Sequence, residues 1–402
     1  MQITDVKLYI INKGGVVNYG LGNTANYVIV TIHTDRGLIG IGDAFHSLDE
    51  PIEACVRKYK RWLMGEDPTK VIHHWQAIYR GLRYPLGTTE LAALSAIEQA
   101  LWDISGKDCG LPIYRMLGGP SRDRVRCYAS GGSWPTGEYD SFVEKVEAVV
   151  AAGWPALKFS PQKPDYTFDQ PKPTWKKQEK SSYLEFTEMV ERVRNVREAL
   201  GDHVEICLDY HGRSFSPAEA IRLAKEIEPY HPFFLEEPAL TENPDSLVQI
   251  KNQTAIPIAG GERVVHRDVF RQVIEKRAVD ILQLEPTACG GILETVKRSA
   301  VAELHHIVLA PHHAGSPVAL CACAHIDMSV PNFLIQEVNT DINSSLNQDL
   351  FYDMPTVSGG WMEMTGAPGL GIEFNDDAAG DHPPKVWDRP VIIEADGSIG
   401  LE

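Results

Sequence analysis

Polar residues that can act as acids, bases or metal ligands recur at nearly constant intervals through the second half of the sequence. From Asp209 onward they stand 23 to 27 residues apart, and each follows or ends a short apolar run. An interval of this size matches one strand followed by one helix, so each residue would lie at the carboxyl end of its own strand. A lysine on an earlier run extends the series, whose members are Lys158, Asp209, Glu236, Glu262, Glu285, His312 and Glu337.

Three of these residues are carboxylates on successive runs: Asp209, Glu236 and Glu262. Carboxylates that converge on one point raise one another's pKa, so they need a cation between them. Oxygen ligands suit a hard ion, and Mg²⁺ fits best because it keeps positions open for substrate oxygens. The sequence therefore predicts a Mg²⁺ site formed by these three carboxylates.

Zinc is the alternative metal, because His305, His306, His312 and His313 stand near the seventh run. We expect His305 and His306 in the helix before that run, away from the strand ends. His313 should point to the opposite side from His312, since side chains alternate between the two faces of a strand. Magnesium is therefore favoured over zinc.

Two histidines are placed to exchange protons with a substrate. His211 lies two residues after Asp209 and should face the same side of its strand. His312 should lie opposite, four strands around an eight-strand ring. Glu285 on the neighbouring strand is placed to accept the Nδ1 proton of His312, which would fix the tautomer and raise the basicity of the ring. For each histidine, a buried side chain bonded to a backbone carbonyl is the alternative interpretation.

Eight apolar runs that alternate with helix-length amphipathic segments must position these residues. Such alternation is typical of βα units, and eight units close into a barrel whose carboxyl strand ends form one rim. We predict an α/β fold with a (β/α)₈-type, modified TIM barrel domain over residues 125–338. Its strands are VRCYAS, ALKFS, VEICLDY, PFFLEEP, IPIAGGE, ILQLEP, IVLAPHH and FLIQEV.

Residues 1–124 have a different pattern. The runs VKLYII and NYVIVTIHTDRGLIGIGDA predict antiparallel strands, with a hairpin turn at Asp35-Arg36-Gly37. From Pro51 to Met116 the apolar residues recur at helical spacing. We predict a separate N-terminal α+β domain, with part of residues 339–402 packed back on it. A segment from Pro161 to Lys180 predicts a long insertion on the second βα loop, where insertions usually shape an active site.

The composition restricts the class of protein. The chain has 402 residues, of which 43% are hydrophobic and 23% charged, and this is typical of a folded protein of two domains. A net charge of −17 argues against nucleic acid or an anionic membrane as a partner. The seven cysteines include no CxxC pair and predict buried, reduced thiols. Without a leader pattern or an apolar run of membrane-spanning length, we expect a cytoplasmic enzyme that forms homo-oligomers.

Several motifs resemble the mandelate racemase subgroup of the enolase superfamily. They are DYH at 209–211, EEP at 236–238, GGER at 260–263, GG at 290–291, APH at 310–312 and AIEQALWDISGKDCGLPIYRMLGG at 96–119. Within the subgroup the chain resembles galactonate dehydratase-like acid-sugar dehydratases, which share the Gln-Glu pair found here at 336–337. The resemblance implies a barrel with an N-terminal α+β capping domain, Mg²⁺ as the cofactor on the three carboxylates, and a small-molecule acid sugar as the substrate.

The resemblance also implies a role for each remaining residue. His312, paired with Glu285, would remove the proton α to the substrate carboxylate and leave an enediolate. Lys158 and Glu337 would bind the substrate carboxylate, Glu337 through a hydrogen bond in its protonated form. His211 would protonate the departing β-hydroxyl, so that the product is a 2-keto-3-deoxy acid.

One position favours dehydration over racemisation. Racemases of the subgroup have a second lysine two residues after the one that matches Lys158, and Ser160 stands there in this chain. Two alternatives remain: a racemase, epimerase or cycloisomerase of the same superfamily, and a metal-binding barrel without catalysis. Glu285 is the hint of the latter, because the family usually has the shorter aspartate at this place. Substrate specificity would depend on loops near Asn18–Asn23, Asp43–Ser47 and Arg83–Tyr84.

Overall fold

An antiparallel sheet begins the fold. The computed structural model describes residues 1–13, 26–45, 49–81, 83–162, 166–169, 174–177, 181–214, 216–385 and 391–401. The sheet consists of β1 (Ile3–Ile11), β2 (Tyr27–Thr34) and β3 (Ile39–Asp43). At the predicted hairpin turn, the Thr34 N–H donates to the Leu38 carbonyl at 3.1 Å, and Gly37 has a φ of 76°. The turn therefore uses a glycine where the backbone is left-handed.

Four helices follow the sheet: α1 (Asp49–Leu63), α2 (Val71–Arg80), α3 (Thr88–Cys109) and α4 (Ile113–Met116). Helix α3 lies on the sheet and is buried over most of its length. It approaches β3 very closely, because a Cβ on Gly40 would lie 2.0 Å from the Ala100 carbonyl oxygen. The same holds for Gly42 and Ala96. Glycines in β3 therefore let the helix backbone rest directly on the strand.

The strands and helices of the remaining chain alternate. The strands are β4 (Val125–Ala129), β5 (Ala156–Phe159), β6 (Tyr166–Asp169), β7 (Thr174–Lys177), β8 (Glu205–Asp209), β9 (Phe234–Glu236), β10 (Ile258–Gly260), β11 (Ile281–Leu282), β12 (Val308–Leu309), β13 (Gln336–Val338), β14 (Phe351–Tyr352), β15 (Thr356–Ser358), β16 (Trp361–Glu363), β17 (Glu373–Phe374) and β18 (Val391–Ile393). The helices are α5 (Phe142–Ala151), α6 (Ser182–Leu200), α7 (Pro217–Ile227), α8 (Pro244–Lys251), α9 (Arg267–Glu275), α10 (Ile292–Leu304), α11 (Pro317–Ser329), α12 (Ser345–Leu350) and α13 (Asp376–Ala379).

Eight of these strands form a closed parallel barrel. Strands β4, β5, β8, β9, β10, β11 and β12 pair in this order, and β13 pairs with β4 from the other side. A parallel bridge between Leu309 and Phe333 closes the ring. All eight predicted runs are barrel strands, so the predicted fold class is confirmed. The strands end earlier than the runs, and the predicted site residues lie near or just beyond their carboxyl ends.

A packed apolar layer fills the barrel interior. Each strand region contributes one side chain to it: Tyr128, Ala156, Cys207, Phe234, Ala259, Ile281, Ala310 and Ile335. Tyr128 and Phe234 meet edge to face with their ring centroids 5.9 Å apart. Because side chains alternate along a strand, the residues two positions further on also point inward, one step nearer the rim. This layer, which we call the interior layer, therefore supports the residues of the site.

Polar residues fix where many barrel helices begin. The side chains of Ser141, Ser181, Ser216, Asn243 and Ser316 each accept a backbone N–H in the first turn of the helix that follows. Proline stands in the first turn of α7, α8 and α11, where a backbone N–H would have no partner within the helix. These start signals are local and therefore readable from sequence.

The insertion lies on the second βα loop, as predicted, but its described part is not irregular. Strands β6 and β7 form an antiparallel hairpin, and β18 pairs with β7 in parallel. Lys177 connects the hairpin to both neighbours through ion pairs of 3.2 Å with Glu185 and 3.5 Å with Glu394. The partner strand comes from the far end of the chain, so the local sequence pattern does not reveal it.

The C-terminal segment contacts both larger parts of the chain. Strand β16 pairs antiparallel with β4 of the barrel. On the other side, the Asn12 N–H donates to the His382 carbonyl at 3.1 Å, and the rings of Tyr9 and Phe374 lie 5.1 Å apart. The predicted boundaries, with residues 1–124 and part of 339–402 in one domain and 125–338 in the other, stay a prediction. In the described part of the chain, no helix has the length and apolar character needed to cross a membrane.

Candidate active site at the carboxyl rim of the barrel

Lys158 on β5 is surrounded by carboxylates from three other strands. Its Nζ lies 2.9 and 3.1 Å from the two carboxylate oxygens of Glu236, 3.2 Å from Asp209 Oδ2 and 3.0 Å from Glu337 Oε1. Burial acts to lower the pKa of Lys158, but Glu236 and Glu337 outweigh it and raise the pKa well above its usual value. The side chain is therefore a permanent ammonium that joins the strand ends, and its predicted contact with a substrate carboxylate stays a prediction.

Asp209 and Glu236 end neighbouring strands but differ in acidity. Burial alone would raise the pKa of Asp209, yet the nearby His211 and Lys158 lower it to about 2. Burial and the charge of Asp209 raise the pKa of Glu236 to about 8. Gln283 also donates to Glu236 Oε2 at 2.8 Å. Asp209 and Glu236 thus share the single positive charge of Lys158, and of the two only Asp209 has a lowered pKa.

His312 contacts one carboxylate at each ring nitrogen. Its Nδ1 lies 2.8 Å from Glu285 Oε2, and its Nε2 lies 3.0 Å from Glu262 Oε2. The other oxygen of Glu285 accepts hydrogen bonds from the Thr287 N–H at 2.9 Å and hydroxyl at 2.7 Å. The extra methylene of Glu285 therefore leaves its contact with His312 intact. Burial acts to lower the pKa of His312, but Glu262 and Glu337 outweigh it and raise the pKa well above its usual value.

Glu337 faces two cationic side chains, and the expectation that it binds the substrate carboxylate in its protonated form stays a prediction. Burial would raise its pKa, but Lys158 and His312 outweigh burial and lower it. Its Oε2 accepts the His313 backbone N–H at 3.1 Å. In this structure Glu337 therefore accepts a hydrogen bond from the backbone just after the neighbouring strand β12.

His211 stands beyond the end of β8 with a φ of 54°. Its Nε2 lies 3.3 Å from Asp209 Oδ2, and its backbone N–H donates to Asp209 Oδ1 at 3.1 Å. Within the described part of the chain, its Nδ1 is buried and has no hydrogen-bond partner. Burial lowers the pKa of His211, and Asp209 only partly opposes this. The structure thus brings His211 to the same rim as Asp209, as predicted.

The other histidines of the zinc alternative lie elsewhere. His305 and His306 follow the end of α10 and do not lie within it, which corrects the expected helix position. His313 is fully buried, accepts the Asn339 N–H at 3.2 Å and contacts the Ser316 carbonyl at 3.3 Å. It is a core histidine whose ring nitrogens both contact backbone groups.

The three predicted metal ligands, Asp209, Glu236 and Glu262, contact two different basic side chains. Among the described residues, no three histidine, cysteine, aspartate or glutamate side chains form a ready-made metal-binding group. Lys158 joins Asp209 to Glu236, whereas Glu262 turns to His312. The donor chemistry nevertheless fits a hard cation, since burial and the charge of Asp209 raise the pKa of Glu236. Burial and Asp209 also act to raise the pKa of Glu262, although His312 and other cations lower it overall. A divalent cation is what relieves such crowding.

Two family models match the chain. The mandelate racemase / muconate lactonizing enzyme N-terminal domain matches residues 15–118, and the enolase C-terminal domain-like model matches residues 141–378. The chain belongs to the mandelate racemase and muconate lactonizing enzyme family. The resemblance inferred from the motifs is therefore confirmed, together with a capping domain ahead of a barrel.

Relatives of this family member carry dehydratase names. It is 33% identical over 382 residues to a D-galactonate dehydratase of Ralstonia pickettii (strain 12J), covering 93% of this chain and 96% of the relative. It is 32% identical to one of Cronobacter sakazakii (strain ATCC BAA-894), with the same coverage. Among solved structures, an enolase from Pantoea ananatis with bound D-gluconate and Mg gives a TM-score of 0.87 at 27% identity over 100% of both chains. The prediction of an enzyme is confirmed by these relatives.

The mandelate racemase family site contains residues that the sequence interpretation missed. Gln283 lies two positions after Ile281 of the interior layer, and alternation along the strand could have revealed it. The sequence interpretation gave no role to Glu237 or Arg263, yet Arg263 Nε lies 3.0 Å from Glu237 Oε2 and Arg263 donates to the His211 carbonyl at 3.0 Å. The backbone of Glu237 is left-handed, with a φ of 39°, and the alternation of side chains along a strand does not predict such a residue.

The three loops named for specificity are only partly described. Asn18–Asn23 lies outside the described residues, and Asp43–Ser47 is described only as far as residue 45. Tyr84 is 74% exposed. Ser160, at the place of the racemase lysine, accepts the Gln162 N–H at 3.3 Å through its hydroxyl.

Proposed function

We propose that this chain is a Mg²⁺-dependent dehydratase of an acid sugar, which yields a 2-keto-3-deoxy acid. The observation that carries the proposal is the 2.8 Å contact between His312 Nδ1 and Glu285, at the rim that also holds His211. An imidazole whose Nδ1 donates to a carboxylate has Nε2 as its proton-accepting atom. The two histidines end strands on opposite sides of the barrel, an arrangement that suits a base and an acid acting on neighbouring carbons.

Asp209, Glu236 and Glu262 would hold the cation. Their chemistry supports this assignment, because Asp209 and Glu236 share the ammonium of Lys158 while Glu262 contacts His312. Held there, Mg²⁺ would offset the second negative charge that develops on the substrate carboxylate when the α-proton leaves. Lys158 would keep two of the ligands in place through its ion pairs.

His312 would remove the α-proton with Nε2. To do so it must give up the 3.0 Å contact with Glu262, which otherwise stabilises a proton on the ring. A carboxylate that is engaged as a cation ligand no longer has this effect, while Glu285 keeps the ring oriented. His211 would then give a proton to the β-hydroxyl as the C–O bond breaks. Its pKa is lowered by burial, so the protonated ring releases its proton readily.

A hexonate is the substrate class that the relatives support. D-galactonate is named for the relative from Ralstonia pickettii, and D-gluconate is bound in the structure from Pantoea ananatis. We would incubate the protein and Mg²⁺ with D-galactonate, D-gluconate and a wider set of hexonates and pentonates, and trap 2-keto products with semicarbazide. The absence of keto acid from every substrate, with folded protein, would refute the dehydratase.

The roles of the two histidines can be separated in ²H₂O. We expect His211→Asn to abolish dehydration while exchange of the substrate α-proton with solvent continues. His312→Asn should abolish both, with a loss of about 10²–10⁴-fold for a general base. His305→Asn is the matched control, because this histidine follows α10 outside the rim. Loss of α-proton exchange in His211→Asn would contradict the assigned roles.

A further inference from the structure

A buried glutamate of the N-terminal domain holds the start of a barrel helix. Glu98 on α3 is 1% exposed, and its carboxylate accepts the backbone N–H groups of Ile292 at 2.7 Å and Leu293 at 2.9 Å. The indole of Trp102 donates to it at 2.8 Å. Helix α10 has Gly291 at its N-cap and therefore no capping side chain of its own. Glu98 supplies the cap from another part of the chain.

The loop before α10 is shaped to receive this carboxylate. Gly291 has a φ of 92°, and a Cβ there would lie 2.1 Å from Glu98 Oε2. The N-terminal domain also holds Gly290: its N–H donates to the Ser95 hydroxyl at 2.9 Å, and its carbonyl accepts the Trp75 indole at 2.8 Å. Every contact in this group joins a helix of the N-terminal domain to the loop that follows β11.

A second buried carboxylate does the same for the next barrel helix. Asp43, at the end of β3, is fully buried, and its Oδ2 accepts the Ser316 N–H at 2.7 Å, where α11 begins. The amide of Gln99 fixes the backbone of Asp43 through two hydrogen bonds of 3.1 and 3.0 Å. Lys13 donates to the Ala314 carbonyl at 3.4 Å in the same loop.

The two loops held in this way carry the proposed base and its partner. Glu285 lies just before the first loop, and its carbonyl accepts the N–H groups of Ala288 and Cys289 at 3.0 Å each. His312 lies four residues before Ser316, where the second loop ends. A shift of either helix start would therefore move one member of a pair whose contact is 2.8 Å.

We propose that Asp43 and Glu98 are positioning residues of the N-terminal domain, which align His312 with Glu285 by holding the N-termini of α11 and α10. The proposal rests on the proposed function for its catalytic meaning. In the part of the chain that the structure describes, neither carboxylate makes a hydrogen bond or an ion pair with His312 or Glu285, so each would act through the loop that it holds. Docking of the N-terminal domain would thereby set the geometry of the proton-transfer pair as well as cover the barrel.

Glu98→Gln and Asp43→Asn test the proposal against a matched control. The control is Asp103→Asn, on the same helix α3 and fully buried, which accepts the N–H groups of Ile41 at 3.1 Å and Leu370 at 2.8 Å. It joins α3 to β3 and to the C-terminal segment, not to the loops after β11 and β12. Three quantities are measured for each variant: kcat and KM, urea unfolding, and the ¹⁵N signals of His312 in histidine-labelled protein.

We expect Glu98→Gln and Asp43→Asn each to lower kcat by about 10- to 100-fold, the range for partners that orient a reacting group, with KM near the wild-type value. The His312 ¹⁵N signals should shift in both variants and stay unchanged in Asp103→Asn. Unchanged His312 signals, or an equal loss of kcat in the control, would overturn the proposal. If the wild type dehydrates no acid sugar, the ¹⁵N signals alone still decide it, so its failure is distinct from that of the proposed function.

Discussion

Glu98 should make the folded chain less stable as the pH rises through neutrality, and Glu98→Gln should remove this dependence. Burial raises the pKa of Glu98 from 4.5 to about 7, although the Leu293 and Ile292 N–H groups, Trp102 and Lys297 act to lower it. The cavity beside the carboxylate measures only about 10 Å³, which is room for about one water molecule. Water in this cavity therefore cannot solvate the Glu98 carboxylate as bulk water would.

The sign of the effect follows from the direction of the pKa change. A carboxyl group whose pKa is higher in the folded than in the unfolded chain binds its proton more tightly in the folded chain. Its stabilising contribution is fully present below pH 4.5 and is lost as the pH rises through about 7. A difference of about 2.5 in pKa corresponds to about 3 kcal/mol, because one pKa unit is 1.36 kcal/mol. Most of this amount should disappear between pH 5 and pH 8.

Urea unfolding at pH 5, 6, 7 and 8, followed by tryptophan fluorescence and circular dichroism, measures the effect. The free energy of unfolding of wild type minus that of Glu98→Gln should fall by about 2–3 kcal/mol across this range. Asp103→Asn is the control, because burial raises the pKa of Asp103 only to about 6, so its own change should be complete about one pH unit below that of Glu98. A difference between wild type and Glu98→Gln that stays constant from pH 5 to pH 8 would refute the reasoning.

Three further predictions concern packing, charge and thiol exposure. Gly291→Ala should lower the Tm well below that of Gly110→Ala, since both glycines have positive φ but only the former meets Glu98 Oε2 at 2.1 Å; equal Tm values would contradict the close approach. Lys158→Met should destabilise the fold by about 3–5 kcal/mol in urea, because it leaves three buried carboxylates without their shared cation; an unchanged unfolding midpoint would be contrary. Cys109, which is exposed, should react rapidly with a thiol reagent, whereas the five buried cysteines should react only after unfolding; fast labelling of a buried thiol would show that the core opens.

The barrel could be predicted because its signals are local and repeated. Each strand region supplies one apolar residue to the interior layer and, two positions later, one residue nearer the rim, as with Ala156 and Lys158 or Cys207 and Asp209. Alternation along a strand and the constant length of a βα unit are both properties of short stretches of sequence. They predict Lys158, Asp209, Glu236, His312 and Glu337 at the rim, and they would have included Gln283 had the alternation been followed strictly.

The sequence could not reveal which of the rim residues contact one another across the barrel. Whether Lys158 reaches a substrate or three carboxylates depends on distances across the barrel, and no local pattern encodes them. The acidity of Glu337 also depends on other strands, because burial acts to raise its pKa and Lys158 and His312 outweigh burial and lower it. The hairpin in the insertion was missed because its third strand, β18, is more than 200 residues away in sequence.

The motif at 96–119 acquires a physical meaning from the placement of α3. A helix that is buried on nearly all sides must provide a partner for each polar side chain, and three of its residues find partners in other parts of the chain. Glu98 holds the start of α10, Gln99 holds the backbone of β3 beside Asp43, and Asp103 holds β3 and the C-terminal segment. A substitution in this helix therefore alters contacts between segments rather than local helix stability. For this reason the N-terminal domain should influence the chemistry at the barrel rim even at positions that never approach the substrate.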